Sequence, residues 1–286
     1  MRDQPNFLNA PTRPPLAWAL RPGRAMAVAA LCLFGLGQWL HHSPLNAALM
    51  RAVHAQAVWP DAFWSHLTQW GDSALMLAFL LALVPDRSRA QVLVLRVWAL
   101  GSLLTPLLKR LWDAPRPLSV LDAGALLPVG LPPAGGHSMP SGHALAAAAG
   151  FALLWLLARE ARRPWAGGLL ALGALVAASR VAVAAHWPAD VLSGAGIGLA
   201  LVALCWRTLD RPLWPRAWRL PAPWGTRLAA ALVHVLRLFL VLALWQTPAD
   251  TPVARWTLNA AALLALGWQA LQGWRAWHER RQGQRP

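Results

Sequence analysis

Charge is scarce in this 286-residue chain: 13% of its residues are charged and 57% are hydrophobic, with a mean hydropathy of +0.40. A soluble domain carries about a quarter charged residues, so the shortage excludes an ordinary water-soluble globule. Cysteine is nearly absent. Cys32 and Cys205 each lie in an apolar run without metal-ligand spacing; that excludes a thiolate metal site and leaves two small hydrophobes expected to be buried. The 11 carboxylates include no cluster spaced to hold a divalent ion, so no metal and no cofactor is expected. Lysine is rarest of all. Among 26 lysines and arginines only Lys109 is a lysine, which points to a role particular to its ammonium. The net charge of +15 could suggest nucleic acid, but the arginines fall in small clusters between apolar runs, not in one stripe. Cytoplasmic loop charge explains them, and no nucleic-acid partner is expected.

The chain contains a series of apolar runs, the signature of several membrane-spanning helices. The pattern predicts helices at about 25–41, 70–85, 90–108, 142–158, 165–184, 189–206, 227–246 and 254–272. The second has an apolar part shorter than the roughly 20 residues a span needs. Residues 42–69, with Pro44, Pro60, Trp59 and Trp64, suit the membrane interface. The fold class expected is all-α: a polytopic membrane helical bundle, a six-helix core with about two C-terminal transmembrane helices. The organisation reads as a cytoplasmic tail over 1–24, too irregular for a cleavable signal, a core over 25–207, a helix pair over 208–272 and a basic tail over 273–286. Arginines concentrate in the N-terminal tail, in 86–89, 159–163 and 207–219, and in the C-terminal tail. Eight helices put all of these on one side, the cytoplasmic side of an inner membrane.

Lys109, Arg110, Arg116 and Arg180 fall on the opposite side, where positive charge at membrane level is costly and calls for a local function. They belong to three stretches expected at the outer face: Lys109 to Pro117, then Pro140-Ser141-Gly142-His143 opening a helix, then Ser179-Arg180 followed by His186 and Asp190. Lys109, Arg116 and Arg180 converge with two histidines and one carboxylate. Arginine's planar fork suits phosphate oxygens and lysine adds a point charge. The Ser141-Gly142-His143 turn directs backbone N–H groups outward from a helix start. Such a set of donors can neutralise a phosphoryl group in transfer without magnesium. Pro188 suits a first helical turn and keeps Trp187 extended, so Asp190 can accept from one ring nitrogen of His186 and leave the other free to attack phosphorus. His143 is placed to protonate the departing alkoxide. Each residue has a plainer reading. Ser141 could only cap its helix, Arg180 and Lys109 could snorkel, and Asp190 could cap the next helix. His41, His42, His54, His66, His137, His234 and His278 are read as hydrogen-bonding residues. The conjunction of complete stretches on one face argues for chemistry.

These stretches resemble the type-2 phosphatidic acid phosphatases, the lipid phosphate phosphatase superfamily that includes the vanadium-dependent haloperoxidases. The family pattern K-x6-R-P, P-S-G-H and S-R-x5-H-x3-D is matched by Lys109 to Arg116-Pro117, Pro140 to His143, and Ser179-Arg180 to His186 to Asp190, and the resemblance spans about residues 60–207. It implies a six-helix core with no metal requirement. It also implies that His186 forms a phosphohistidine, Asp190 orients it and His143 is the general acid. Lys109, Arg116, Ser141, Gly142 and Arg180 would hold the phosphate. The function expected is a lipid phosphate or lipid pyrophosphate phosphatase in the bilayer, with the particular lipid and the oligomeric state left open. The alternatives are a lipid-to-lipid phosphotransferase using the same site, or a non-catalytic transporter or scaffold.

Overall fold

The computed structural model describes residues 16–56, 60–84, 88–121, 126–127, 129, 135–160, 163–209 and 224–246, with single positions between 259 and 278. Among these the regular structure is helical, apart from one isolated bridge between Pro115 and His137. The helices are α1 (Leu16–His41), α2 (Leu45–Ala55), α3 (Asp61–Gln69), α4 (Ser73–Leu83), α5 (Arg89–Trp112), α6 (Pro117–Val120), α7 (Gly142–Glu160), α8 (Ala166–Ala182), α9 (Pro188–Arg207) and α10 (Trp224–Gln246). Pro22–His41, Arg89–Trp112, Gly142–Arg159 and Pro188–Arg207 are long and apolar enough to cross a bilayer, and α4, α8 and Ala231–Trp245 are shorter apolar helices. The chain is a multi-pass, all-helical membrane protein.

Several boundaries differ from the sequence expectation. α1 starts at Leu16, so the tail expected to run to residue 24 is already helical there, with Pro22 inside the helix. α5 continues to Trp112, past the expected end at 108, because nothing stops it before Asp113. That residue takes the left-handed conformation (φ 45°) and donates its N–H to Lys109 O at 3.1 Å. The extension places Lys109 and Arg110 on the last turn. The 42–69 segment, read as interfacial and given no helix, holds α2 and α3. Cys32 is exposed while Cys205 is buried: the outward face of α1 is apolar for the lipid, not for a protein neighbour. Most of the eighth helix expected at 254–272, of the basic tail and of the 207–219 loop lies outside the described residues.

Close packing centres on α9, whose glycines work on two faces. A side-chain carbon on Gly194 would collide with the Ser141 carbonyl, and one on Gly198 would stand 2.5 Å from Leu145 O, both on the α7 side. On the other face a carbon on Gly196 would stand 2.8 Å from Phe34 N, so α1 also lies backbone to backbone with α9. Hydrocarbon gives helices little hydrophobic reason to associate, and such small-residue seams replace it with dispersion contacts. Leu75, Met76, Leu80, Val94, Val97, Leu153 and Val202 fill the core between α4, α5, α7 and α9. Arg96 Nη1 donates to Thr208 O at 2.9 Å, and Gly23 lies beside Trp206 and Arg207. The starts of α1 and α5 therefore share one end of the bundle with the finish of α9, and the three motif stretches gather at the other. Arg237 of α10 donates from Nη2 to Leu81 O at 2.9 Å, tying that helix to the last turn of α4.

Candidate active site

The first motif leaves α5 through Asp113 and pairs with the residues leading into the second. Ser138 N donates to Ala114 O at 2.7 Å, and the Lys109 ammonium donates to His137 O at 3.0 Å and Ser138 O at 3.3 Å. Arg116 spans the mouth. Its Nε donates to Gly135 O at 2.8 Å and its Nη1 to Ala185 O at 2.9 Å, with the same Nη1 3.4 Å from His186 Nε2. Ser141 is fully buried; its N–H donates to Asp190 O at 3.1 Å and its Oγ accepts from Ala144 N at 3.3 Å, so the hydroxyl does cap α7. Gly142 and His143 form the first turn of α7 and are half-buried.

The third motif closes the site. Arg180 is buried near the end of α8 and donates from Nη1 to Thr68 Oγ1 at 2.6 Å. Its carbonyl accepts from Ala185 N at 3.1 Å and His186 N at 3.2 Å, through a turn in which Ala184 takes a positive φ of 59°. This turn brings His186 back beside Arg180. Pro188 starts α9 and Trp187 is extended before it (ψ 152°), as the sequence suggested. Asp190, fully buried, accepts from Trp187 N at 2.9 Å through Oδ2, and the same oxygen lies 3.3 Å from His186 Nδ1. Capping α9 and holding the imidazole are thus one act.

The hydrogen bonds assign the tautomer. Arginine can only donate, so the Arg116 contact makes Nε2 of His186 an acceptor, and Nδ1 carries the proton toward Asp190. Burial, then the charges of Arg180, Arg116 and Lys109, holds His186 well below the usual histidine range. The ring is neutral, with a lone pair aimed among cations. His143 lies within electrostatic reach of Arg180, His186, Lys109 and Arg116. The residues singled out by the sequence form one cluster.

Two partners were not legible beforehand. Thr68, from a segment read as interfacial, positions Arg180. Ser138 donates to Asp190 Oδ2 and lies 3.3 Å from His186 Nδ1, but neither its type nor its spacing sets it apart in the sequence. Of the other histidines, His137 Nδ1 pairs with Asp113 Oδ1 at 2.8 Å on the exposed rim. His54 bridges Ala182 O at 2.9 Å and Leu127 N at 3.0 Å, a structural role. From His143 a cavity of about 220 Å³ runs between α4, α5 and α7, past Thr105, Gly101, Leu145, Trp98 and Ala149. Polar groups along it are satisfied inward: Thr105 Oγ1 donates to Gly101 O at 2.7 Å and Trp98 Nε1 to Ser73 O at 2.9 Å.

No curated protein sequence matches the chain. A solved structure that it resembles is the first transmembrane PAP2 type phosphatidylglycerolphosphate phosphatase from Bacillus subtilis, at 21% identity and a TM-score of 0.50, covering 67% of this chain and 98% of that one. That likeness is one of fold. The family model of the PAP2 superfamily matches residues 90–214. That stretch runs from α5 past the end of α9 and holds all three motifs.

Proposed function

We propose that the chain is an integral-membrane lipid phosphate or lipid pyrophosphate phosphatase that works through a phosphohistidine on His186, at the outer face of an inner membrane. The observation that carries this reading is the ring of His186: Nδ1 is held by Asp190 while Nε2 faces Arg116 at 3.4 Å. In the first step Nε2 attacks phosphorus, the bond from phosphorus to the lipid oxygen breaks, and His143 delivers a proton to the departing alkoxide. His143 then takes a proton from water, which attacks the phosphohistidine and releases phosphate and neutral His186. Lys109, Arg116 and Arg180, with the amides of Gly142 and His143 at the start of α7, offset the charge that builds on the equatorial oxygens. In this reading fixed cations take the charge-neutralising role that a metal ion plays in other phosphoryl transfers. The cavity leading from His143 supports a leaving group with a hydrocarbon chain.

The test is purified protein in detergent with excess chelator, given a panel of labelled lipid phosphates, with free and transferred phosphate measured separately and acid-quenched protein counted. Release of free phosphate and label on the wild type, with both lost in His186→Ala, is the expected result. Label retained on His186→Ala would move the nucleophile elsewhere. Phosphate passed only to another lipid would make the chain a transferase, and no turnover on any lipid would overturn the reading.

A further inference from the structure

Ser138 lies outside the three matched motifs, yet each of its polar atoms is bound to part of the site. Its N–H donates to Ala114 O at 2.7 Å, locking it against the first motif, and its carbonyl accepts from the Lys109 ammonium at 3.3 Å. Its hydroxyl donates to Asp190 Oδ2 and lies 3.3 Å from His186 Nδ1. The side chain is fully buried, as is Asp190, and His186 is 3% exposed.

A hydroxyl has one proton, and here it goes to the carboxylate. Toward Nδ1 the Ser138 oxygen can then only accept, so the Nδ1–H of His186 is shared between Ser138 Oγ and Asp190 Oδ2. The three donors reaching the Asp190 carboxylate, from Trp187, Ser138 and His186, converge on Oδ2, while Oδ1 has no hydrogen-bond partner. A carboxylate held through one oxygen can rotate about its last bond. The Ser138 hydroxyl opposes that rotation and offers a second acceptor to the same ring proton. We infer that Ser138 is a positioning residue for the nucleophile, which fixes the Asp190 carboxylate and the Nδ1-protonated tautomer of His186. It rests on the reading of His186 as the nucleophile.

The experiment compares Ser138→Ala, Ser138→Thr, Asp190→Asn and the Ser138→Ala/Asp190→Asn double variant, with a long-chain phosphatidic acid in mixed micelles as the probe. Thermal unfolding of each purified protein checks the fold. If Ser138→Ala does not fold, Ser138→Cys, of similar shape but a poor hydrogen-bonding group, takes its place. The expected loss is in kcat, about 10- to 100-fold as for other residues that orient a reacting group, with KM changed less than about threefold and recovery in Ser138→Thr. A residue acting through Asp190 has nothing left to support once Asp190 is altered. The double variant should therefore match Asp190→Asn within about threefold, whereas an independent structural role would multiply the two losses. Multiplied losses, a loss confined to KM, or normal kcat in Ser138→Ala would each overturn the inference. His186→Ala separates the two levels: turnover surviving there sinks the nucleophile assignment, while a dead His186→Ala beside a normal Ser138→Ala sinks only the role of Ser138.

Discussion

As the proposed nucleophile, His186 can attack phosphorus only while its ring is neutral, and its surroundings favour that form. Burial and the charges of Arg180, Arg116 and Lys109 lower its affinity for a proton well below the ordinary histidine value. The sign follows: a depressed value keeps the reactive form populated as the pH falls, so the acid limb of kcat/KM should lie below about 6.5, the ordinary histidine value. Removing a cation should move it upward. Arg180→Gln is expected to lower the height of the profile and also raise its acid limb; a lower profile with an unmoved limb would show that Arg180 does not act on His186. Lys109 poses a separate question, why the sequence uses lysine once. Its ammonium donates to two backbone carbonyls, at 3.0 and 3.3 Å, of the segment that carries Ser138. A guanidinium is broad and planar and cannot take the place of that compact charge. Lys109→Arg should cost roughly 100-fold or more in kcat, the scale of losing a fixed donor to a transition-state oxyanion. Near-normal turnover would return Lys109 to a snorkelling side chain.

Helices carry these residues to one another, and how far the chain could be read in advance depended on what held each element in place. α7, α8 and α9 were legible to within two residues, because Gly142, Pro188 and the arginines at the inner helix ends punctuate a continuous apolar pattern. α3 and α4 were not. Their break at Gly71–Asp72 is set partly by a local cap, Asp72 Oδ1 accepting from Ala74 N and Leu75 N, and partly by tertiary contact, since a carbon on Gly71 would meet His143 O at 3.0 Å. No periodicity records such a neighbour. The site followed the same rule. Arg116, His186 and Asp190 announce themselves by type and spacing, whereas Thr68 and Ser138 matter only through what the fold sets against them. The glycines of α9 give this scale its test. Because the Ser141 carbonyl occupies the space where a Gly194 side chain would go, Gly194→Ala must push α7 away from α9, and His143 away from His186. The expected cost is about 1–3 kcal/mol of stability, as for overpacked cores, together with a loss of turnover. Gly35 of α1, exposed and with nothing within 4 Å of an added carbon, is the control; Gly35→Ala should gain roughly 0.5–1 kcal/mol by helix propensity alone. Equal behaviour of the two variants would show that the close approach of α7 and α9 is not needed.

At the scale of the whole molecule the question is which end faces the cytoplasm. The starts of α1 and α5 and the finish of α9 meet at one end, through Gly23 beside Arg207 and Arg96 on Thr208. Arginines in the connecting segments collect at that end, including Arg89, Arg159, Arg163 and Arg207. Basic loops are retained on the cytoplasmic side during insertion. The cations at the opposite end, Lys109, Arg116 and Arg180, are each engaged with site carbonyls or side chains, so they read as parts of the site and not as a competing orientation signal. The site should therefore open to the outside, within reach of lipid headgroups in the outer leaflet. An alkaline phosphatase reporter folds and works only outside the cytoplasm. Inserted beside Leu127, exposed on the motif end, it should be active; placed after Arg163 or after Gly283 it should be silent. Permeant and impermeant thiol labelling of single-cysteine variants at the same positions should give the same assignment without a fused domain. Activity after Arg163 combined with silence at Leu127 would invert the molecule and place the histidine chemistry on the cytoplasmic leaflet, where the lipid phosphates it meets would be a different set.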